Sequence, residues 1–410
     1  MVNVQESIAA QFDPLEMSDP FPFYDLARKK QPIFYDARIG YWVVTRYEDV
    51  KSIFKDLETF SSAISGTPMI QPPPEVQKIL DDGGFKVYSG LSGRMPPDHT
   101  RIRSFINKAF TPQRIRSLET PIRARVDELL DGFTGGRADI VRQLTYDLPA
   151  LVLFMLLGIP DEDVPNVKRW AYSRIVLQWG YTTPGQDLTE HAHNLVKYWK
   201  YCNDLIDKRF EKLQDDLPSD LVRIYNAGDK TITRMEMATV CYTLLFAGHE
   251  TTSHTLAESI KSLLSPRTYW EELCRDPGKI PHAVEELARY CPSIFTWRRI
   301  TTRPVTLGGV ALPAGAPLLM VIGSANRDDQ VFPDGNTLDL ERENAKENLT
   351  FGYGVKYCLG SPLARLEMRV ALEELTQRFP SLRLAPNQTI EYLPNMMSRG
   401  PLHVWVEWDA

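Results

Sequence analysis

Phe351-Gly352-Tyr353-Gly354-Val355-Lys356-Tyr357-Cys358-Leu359-Gly360 holds one cysteine in a glycine-bracketed loop, directly ahead of a segment patterned as a helix, 361–378. A single thiolate cannot build a zinc or iron–sulfur centre, which needs several ligands. It suffices as the one axial protein ligand of a haem iron, where it pushes electron density toward O–O cleavage. The neighbours suit that task. Gly354 and Gly360 permit sharp turns and let backbone lie against a flat ring. Backbone N–H groups around Leu359 and Gly360 can stabilise the thiolate. Phe351 can cover the sulfur. On these residues alone, a buried structural cysteine beside a Gly-rich turn remains open.

A second constellation lies upstream. Residues 231–264 read as one long helix ending before Pro266, with Ala247-Gly248-His249-Glu250-Thr251-Thr252 in its middle. Thr251 lies four residues after Ala247, on the same face. Its hydroxyl can bond the Ala247 carbonyl, bending the helix and opening a notch. Glu250 adds an acid that can relay protons through water. A surface acid among ordinary helical threonines is the alternative. His249, one residue from Gly248, points off that face and reads as structural or solvent-facing.

These residues resemble the cytochrome P-450 superfamily, the haem-thiolate monooxygenases, whose cysteine loop reads Phe-x-x-Gly-x-(Arg or His)-x-Cys-x-Gly. Only Lys356 departs, keeping the charge but not the planar fork. The family's (Ala/Gly)-Gly-x-(Asp/Glu)-Thr motif matches Ala247 to Thr251, and its Glu-x-x-Arg pair matches Glu286 and Arg289. The aligned third member of that pair falls on Thr337, with Arg342 as a possible substitute. The resemblance covers essentially the whole chain. It implies a mainly α (α+β) fold in one haem domain, 1–410, with haem between the long helix and the cysteine-loop helix.

The same resemblance assigns roles. Cys358 is the iron ligand; Glu250 and Thr251 are catalytic. His99, Arg103, Ala247, Gly248, Arg299, Phe351, Gly352, Lys356 and Gly360 bind haem b. Of these, His99, Arg103, Arg299 and Lys356 face the propionates, Arg299 in preference to Arg298. Pocket walls are expected from Leu244, Ile294, Phe295 and Thr296, from the loop at 61–97, and from 168–185 with Trp170, Tyr172, Trp179 and Tyr181. The expected reaction inserts one atom of O2 into a small to medium apolar or aromatic organic molecule, by hydroxylation or O-dealkylation. Electrons come from NAD(P)H through a ferredoxin or flavodoxin-type partner and its reductase. A peroxide-driven enzyme, or a non-catalytic haem sensor or electron carrier, is the alternative. Stretches 40–47 and 404–408 are similar to haem domains of self-sufficient reductase fusions, so a stand-alone relative and an excised domain both fit.

Bulk properties agree. The 410 residues are 43% hydrophobic, enough for an extensive core, and the net charge of −6 gives no reason to expect nucleic acid. Five scattered cysteines form no CxxC pair, which suits a reducing compartment. No leader pattern opens the chain, and the longest apolar run, 151–157, is far too short to span a bilayer. A cytoplasmic protein with no membrane contact is expected.

Along the chain, the pattern predicts a helix at 22–30, a hairpin at 33–35 and 41–45, and a helix from Glu48. A long loop at 61–97 follows, then mostly helix from 98 to 265. Strands are expected within 303–322, irregular chain over 325–350, and strand-like alternation at 389–408. Seven cations crowd 98–125 (Arg101, Arg103, Lys108, Arg114, Arg116, Arg123, Arg125), and Lys356, Arg365 and Arg369 flank the cysteine loop. Together they predict a basic face that steers an acidic electron donor.

Overall fold

The computed structural model describes residues 8–69, 71–85, 90–179, 187–392 and 395–409. The expected hairpin forms as β1 (Ile33–Asp36) and β2 (Tyr41–Val44), with Gly40 at φ +73° closing the turn. They join β3 (Phe60–Ser61), β4 (Thr296–Thr301) and β5 (Pro317–Val321) in one sheet, ordered β1-β2-β5-β4-β3. Only the β2–β5 pair is parallel. That pairing carries the N-terminal hairpin onto strands about 270 residues further on.

Beside a three-stranded sheet and a two-stranded hairpin, Val305–Leu307 with Val310–Leu312, helices make up most of the rest. Those that frame the site are α1 (Asp98–Ala109), α2 (Val164–Trp179), α3 (Leu188–Glu211), α4 (Arg234–Ala247), α5 (Glu250–Leu263), α6 (Ile280–Tyr290) and α7 (Ser361–Arg378). Beyond its first turn α4 is mostly apolar, with Met237, Val240, Cys241 and Leu245 buried against neighbouring helices. α4 packs on α3, while α5 packs on α6 and α7. One large apolar cluster runs through these helices, and smaller ones sit on the two faces of the sheet.

Three expectations need correction. The single helix at 231–264 is two, α4 and α5, separated at Gly248-His249. The loop at 61–97 contains a helix, Pro74–Asp82, started by prolines that donate no N–H; residues 70 and 86–89 lie outside the described residues. The C-terminal alternation yields one strand, Trp405–Glu407, and two isolated bridges. Gly400 and Pro401 interrupt that ladder.

Among the described residues, no helix is long and apolar enough to cross a membrane.

Candidate active site

The cysteine loop is built by backbone turns. Gly352 and Gly354 adopt φ +72° and +69°, which L side chains rarely occupy, and the Cys358 N–H donates to the Phe351 carbonyl at 2.8 Å. This fold-back turns the sulfur into a cavity lined also by Ala247, Gly248, Glu250, Thr251, Arg299, Phe351, Gly352, Lys356 and Gly360. The cavity encloses about 280 Å³, far beyond a packing void, so it is built for an occupant. Burial pushes the Cys358 thiol up. Backbone N–H groups of Gly360 and Ser361 at the start of α7, with the Arg103 charge, oppose that push. The sequence placed these donors one residue earlier. Arg365 lies over the Phe351 ring at 4.3 Å and pairs with Glu285, fixing the aromatic side of the loop.

Above the cavity the helix is broken. The Thr251 hydroxyl donates to the Ala247 carbonyl at 2.7 Å, as its spacing predicts. His249 is buried rather than solvent-facing: its Nε2 lies 3.1 Å from the Tyr146 carbonyl, and burial lowers its pKa to about 3. It ties the break to the neighbouring turn. Glu250 borders the cavity, and burial pushes its carboxyl up to about 7. Among the described residues it has no ion-pair partner.

A cluster of basic groups without carboxylates lies beside the cavity, with Arg299 and Lys356 in its lining and His99 and Arg103 outside it. His99, Arg103, Arg299 and Lys356 form no ion pair among the described residues. They repel one another: Lys356 is lowered to about 7 by burial, Arg299 and Arg103, and His99 to about 4 by burial, Lys356 and Arg103. Burial alone lowers Arg299 to about 10. The His99 Nδ1 and Arg299 Nε atoms are buried with no hydrogen-bond partner. Such a set calls for an anionic guest. Lys356 has a second task, since its ammonium donates to the carbonyls of Leu91 (3.0 Å), Ser92 (3.3 Å) and Arg94, clamping the upstream loop.

Glu286 and Arg289 on α6 are fully buried and pair through two contacts, 2.6 and 2.7 Å. The third partner is Arg342, 3.2 Å from Glu286; Thr337 supplies only its carbonyl, to both arginines.

The expected pocket wall is partly wrong. Ile294 lines the cavity, but Phe295 points away and packs between Phe21 and Tyr24. The Thr296 hydroxyl is taken by the Met396 carbonyl. Leu244 faces a separate small void beside Gly90 and Ile102. Trp297 and Arg299 face inward instead, two apart as strand alternation requires. Phe246 and Met397 were missed; neither sits in a motif. Trp179 backs Trp297 at 5.5 Å, whereas Trp170 and Tyr172 pack on Tyr201 and His191 of α3. Tyr181 lies outside the described residues.

The basic face is largely neutralised. Arg101, Lys108, Arg114, Arg123, Arg125, Arg365 and Arg369 all pair with acids. Of the ten cations in that group, Arg103, Arg116 and Lys356 have no acidic partner among the described residues. Tyr353 and Val355 of the cysteine loop are exposed apolar surface.

The family model "Cytochrome P450" matches residues 23–274 and 280–401. The chain belongs to the cytochrome P450 family. It is 34% identical to mycinamicin IV hydroxylase/epoxidase of Micromonospora griseorubida, over 98% of this P450 and 96% of that protein. It is 41% identical to cytochrome P450 CREJ, solved in complex with (4-ethylphenyl) dihydrogen phosphate, covering 98% and 100% of the two chains at TM-score 0.94. The haem domain of the Tepidiphilus thermophilus P450 is 36% identical, with 98% and 97% covered, at TM-score 0.92. This P450 is therefore a haem-thiolate monooxygenase, using haem b, O2 and electrons from NAD(P)H delivered through a redox partner. The thiol facing the cavity, and the buried cations lacking anions, fit that cofactor.

Proposed function

We propose that residues 1–410 act as a single haem domain oxidising an alkyl-substituted arene that carries an acidic oxygen group. Haem, when bound, supplies O2 activation; the chain supplies ligation, proton delivery and a dry pocket. Cys358 would ligate the iron through its sulfur, supported by the N–H groups of Gly360 and Ser361. His99, Arg103, Arg299 and Lys356 would hold the propionates, and Ala247, Gly248, Phe351, Gly352 and Gly360 would flank the ring. The Thr251 hydroxyl, its hydrogen given to the Ala247 carbonyl, would accept a hydrogen bond from a water at the notch, and protonated Glu250 would supply that water with a proton. The Glu286–Arg289–Arg342 cluster braces the cysteine-loop side.

The observation that carries this reading is the shared cavity. Cys358, Thr251 and Glu250 come from elements about 110 residues apart in sequence and all border one space. Phe246, Ile294, Trp297 and Met397 make its wall apolar and aromatic, which suits an arene. The aryl phosphate bound by the 41% identical relative supports the substrate class.

A ferredoxin or flavodoxin-type donor is proposed to dock beside the cysteine loop. Tyr353 and Val355 provide contact there, while the extensive ion pairing of the neighbouring arginines weakens long-range steering. The test is a carbon-monoxide difference spectrum of the reduced protein, followed by NADH-coupled turnover of 4-ethylphenyl phosphate with a surrogate ferredoxin and reductase. Thiolate-type absorption with product formation is expected. Imidazole-type absorption, or no product with any donor, sinks the reading.

A further inference from the structure

The cavity has polar lining that the oxygen chemistry does not use. His254, Ser293 and Ser398 all border it. They come from three separate segments, and the fold ties them together. The Arg399 N–H donates to the Ser293 carbonyl at 2.8 Å. Ser398 forms an antiparallel bridge with Ile294. Gly400 lies so close to His254 that a Cβ there would fall 2.3 Å from the ring carbon Cγ, so the missing side chain makes room for the imidazole.

Two of these groups are left wanting. Ser293 and Ser398 are only 3% and 4% exposed. The Ser398 hydroxyl and the His254 Nδ1 are buried and have no hydrogen-bond partner; the same holds for the amide nitrogen of Asn395, three residues before Ser398. Buried polar groups are normally satisfied, so the unsatisfied Ser398 and His254 bordering the cavity point to a guest.

The donor set defines that guest. Both hydroxyls can donate, and so can the His254 Nδ1 in the tautomer that protonates it. Burial lowers the His254 pKa to about 4, so the ring stays neutral at ordinary pH. No acid among the described residues pairs with any of the three. The nearby Glu258 is taken by Lys261 (2.7 Å), Arg399 (2.9 Å) and Tyr392 (2.9 Å). Several separated groups that can donate suit a guest bearing several oxygens. A lone phenol oxygen would satisfy one or two of them.

We propose that His254, Ser293 and Ser398 form an oxygen-anchoring subsite for the phosphoryl end of an aryl phosphate, whose ring lies against Phe246, Ile294, Trp297 and Met397. This rests on the substrate class proposed above. It adds the residues that select it, and a reason the enzyme should prefer the phosphate ester to the bare hydrocarbon.

The test is a spectral titration of the haem-loaded protein, with 4-ethylphenyl phosphate and 4-ethyltoluene as probes. The wild type should bind the phosphate more tightly. Ser398→Ala should weaken phosphate binding about tenfold, as expected for a lost hydrogen bond to a charged group. The Ser398→Ala/His254→Phe double variant should weaken it further. Binding of 4-ethyltoluene should stay within about twofold in both. Ser398→Thr should restore phosphate affinity. Inorganic phosphate should compete with the ester but not with the hydrocarbon. Equal loss of both probes, unchanged phosphate affinity in the double variant, or tighter wild-type binding of the hydrocarbon overturns the subsite. Failure of the underlying reading is distinct: the reduced, carbon-monoxide-treated protein would lack thiolate-type absorption before any probe is added.

Discussion

Thr251 donates its hydroxyl to the Ala247 carbonyl across 2.7 Å, spanning the gap between α4 and α5. The bond satisfies a carbonyl that the break would otherwise leave free. It also fixes the hydroxyl at the cavity edge, one residue from a carboxyl whose pKa burial raises to about 7.

Replacing this hydroxyl separates binding from chemistry. Thr251→Ala should bind substrate as the wild type does, because the notch backbone remains. Coupled product formation should fall about tenfold or more, the usual scale for a lost proton-transfer group. Electrons should appear as hydrogen peroxide. Peroxide and product, measured against NADH consumed, check this; unchanged coupling removes Thr251 from proton delivery.

Glu250 predicts a pH limb. Its carboxyl is raised from 4.5 to about 7 by burial. It holds its proton below about 7 and loses it above, so proton donation is lost as pH rises through that value. Coupled turnover should fall on the alkaline side, and Glu250→Gln should be slow with that limb gone. Stability follows the same sign. Ionising a buried carboxyl costs free energy, so the wild type loses stability between about pH 4.5 and 7. Glu250→Gln should match it at low pH and melt higher at pH 8. Melting curves at both pH values decide the point.

The site was legible wherever chemistry demands a particular residue at a particular spacing. Cys358 in its glycine loop, Thr251 four after Ala247, and Glu286 three before Arg289 are local patterns, and each sits on one turn or one helix. Arg342 was harder, because its approach to Glu286 depends on how residues 333–342 fold back over α6. The pocket wall was least legible. Which of Ile294, Phe295, Thr296 and Trp297 faces inward depends on where the strand alternation begins. That start is set by Met397, whose carbonyl accepts from the N–H groups of both Phe295 and Thr296. Surface charge misled for a similar reason: the acids that neutralise the cations of 98–125 come mostly from other segments, such as Glu236, Asp229 and Glu373.

Cys358→Ser should fold and bind porphyrin less tightly, with no thiolate-type absorption in the reduced carbon-monoxide complex. Serine keeps the size and the N–H donors of Gly360 and Ser361, so loss of the signal is attributable to sulfur. Retained thiolate absorption would mean that another residue ligates the iron. Among the described residues the other four cysteines are absent from this cavity.

The Glu286 cluster predicts an asymmetry in stability. Glu286 accepts from Arg289, from Arg342 and from the Asp339 N–H at 3.0 Å, all in the interior. Glu286→Ala would strand two buried guanidiniums, at a cost of about 3–5 kcal/mol. Arg342→Ala leaves the two-contact Glu286–Arg289 pair intact, and its own carbonyl partners at Pro333 and Thr337 lie in irregular chain that can take up water. It should cost clearly less. Urea unfolding of both variants tests the order, with haem release as a second readout because the braced segment leads into the cysteine loop. If Arg342→Ala proves as damaging as Glu286→Ala, the arginine holds the 333–342 segment in place rather than serving mainly as the third charge.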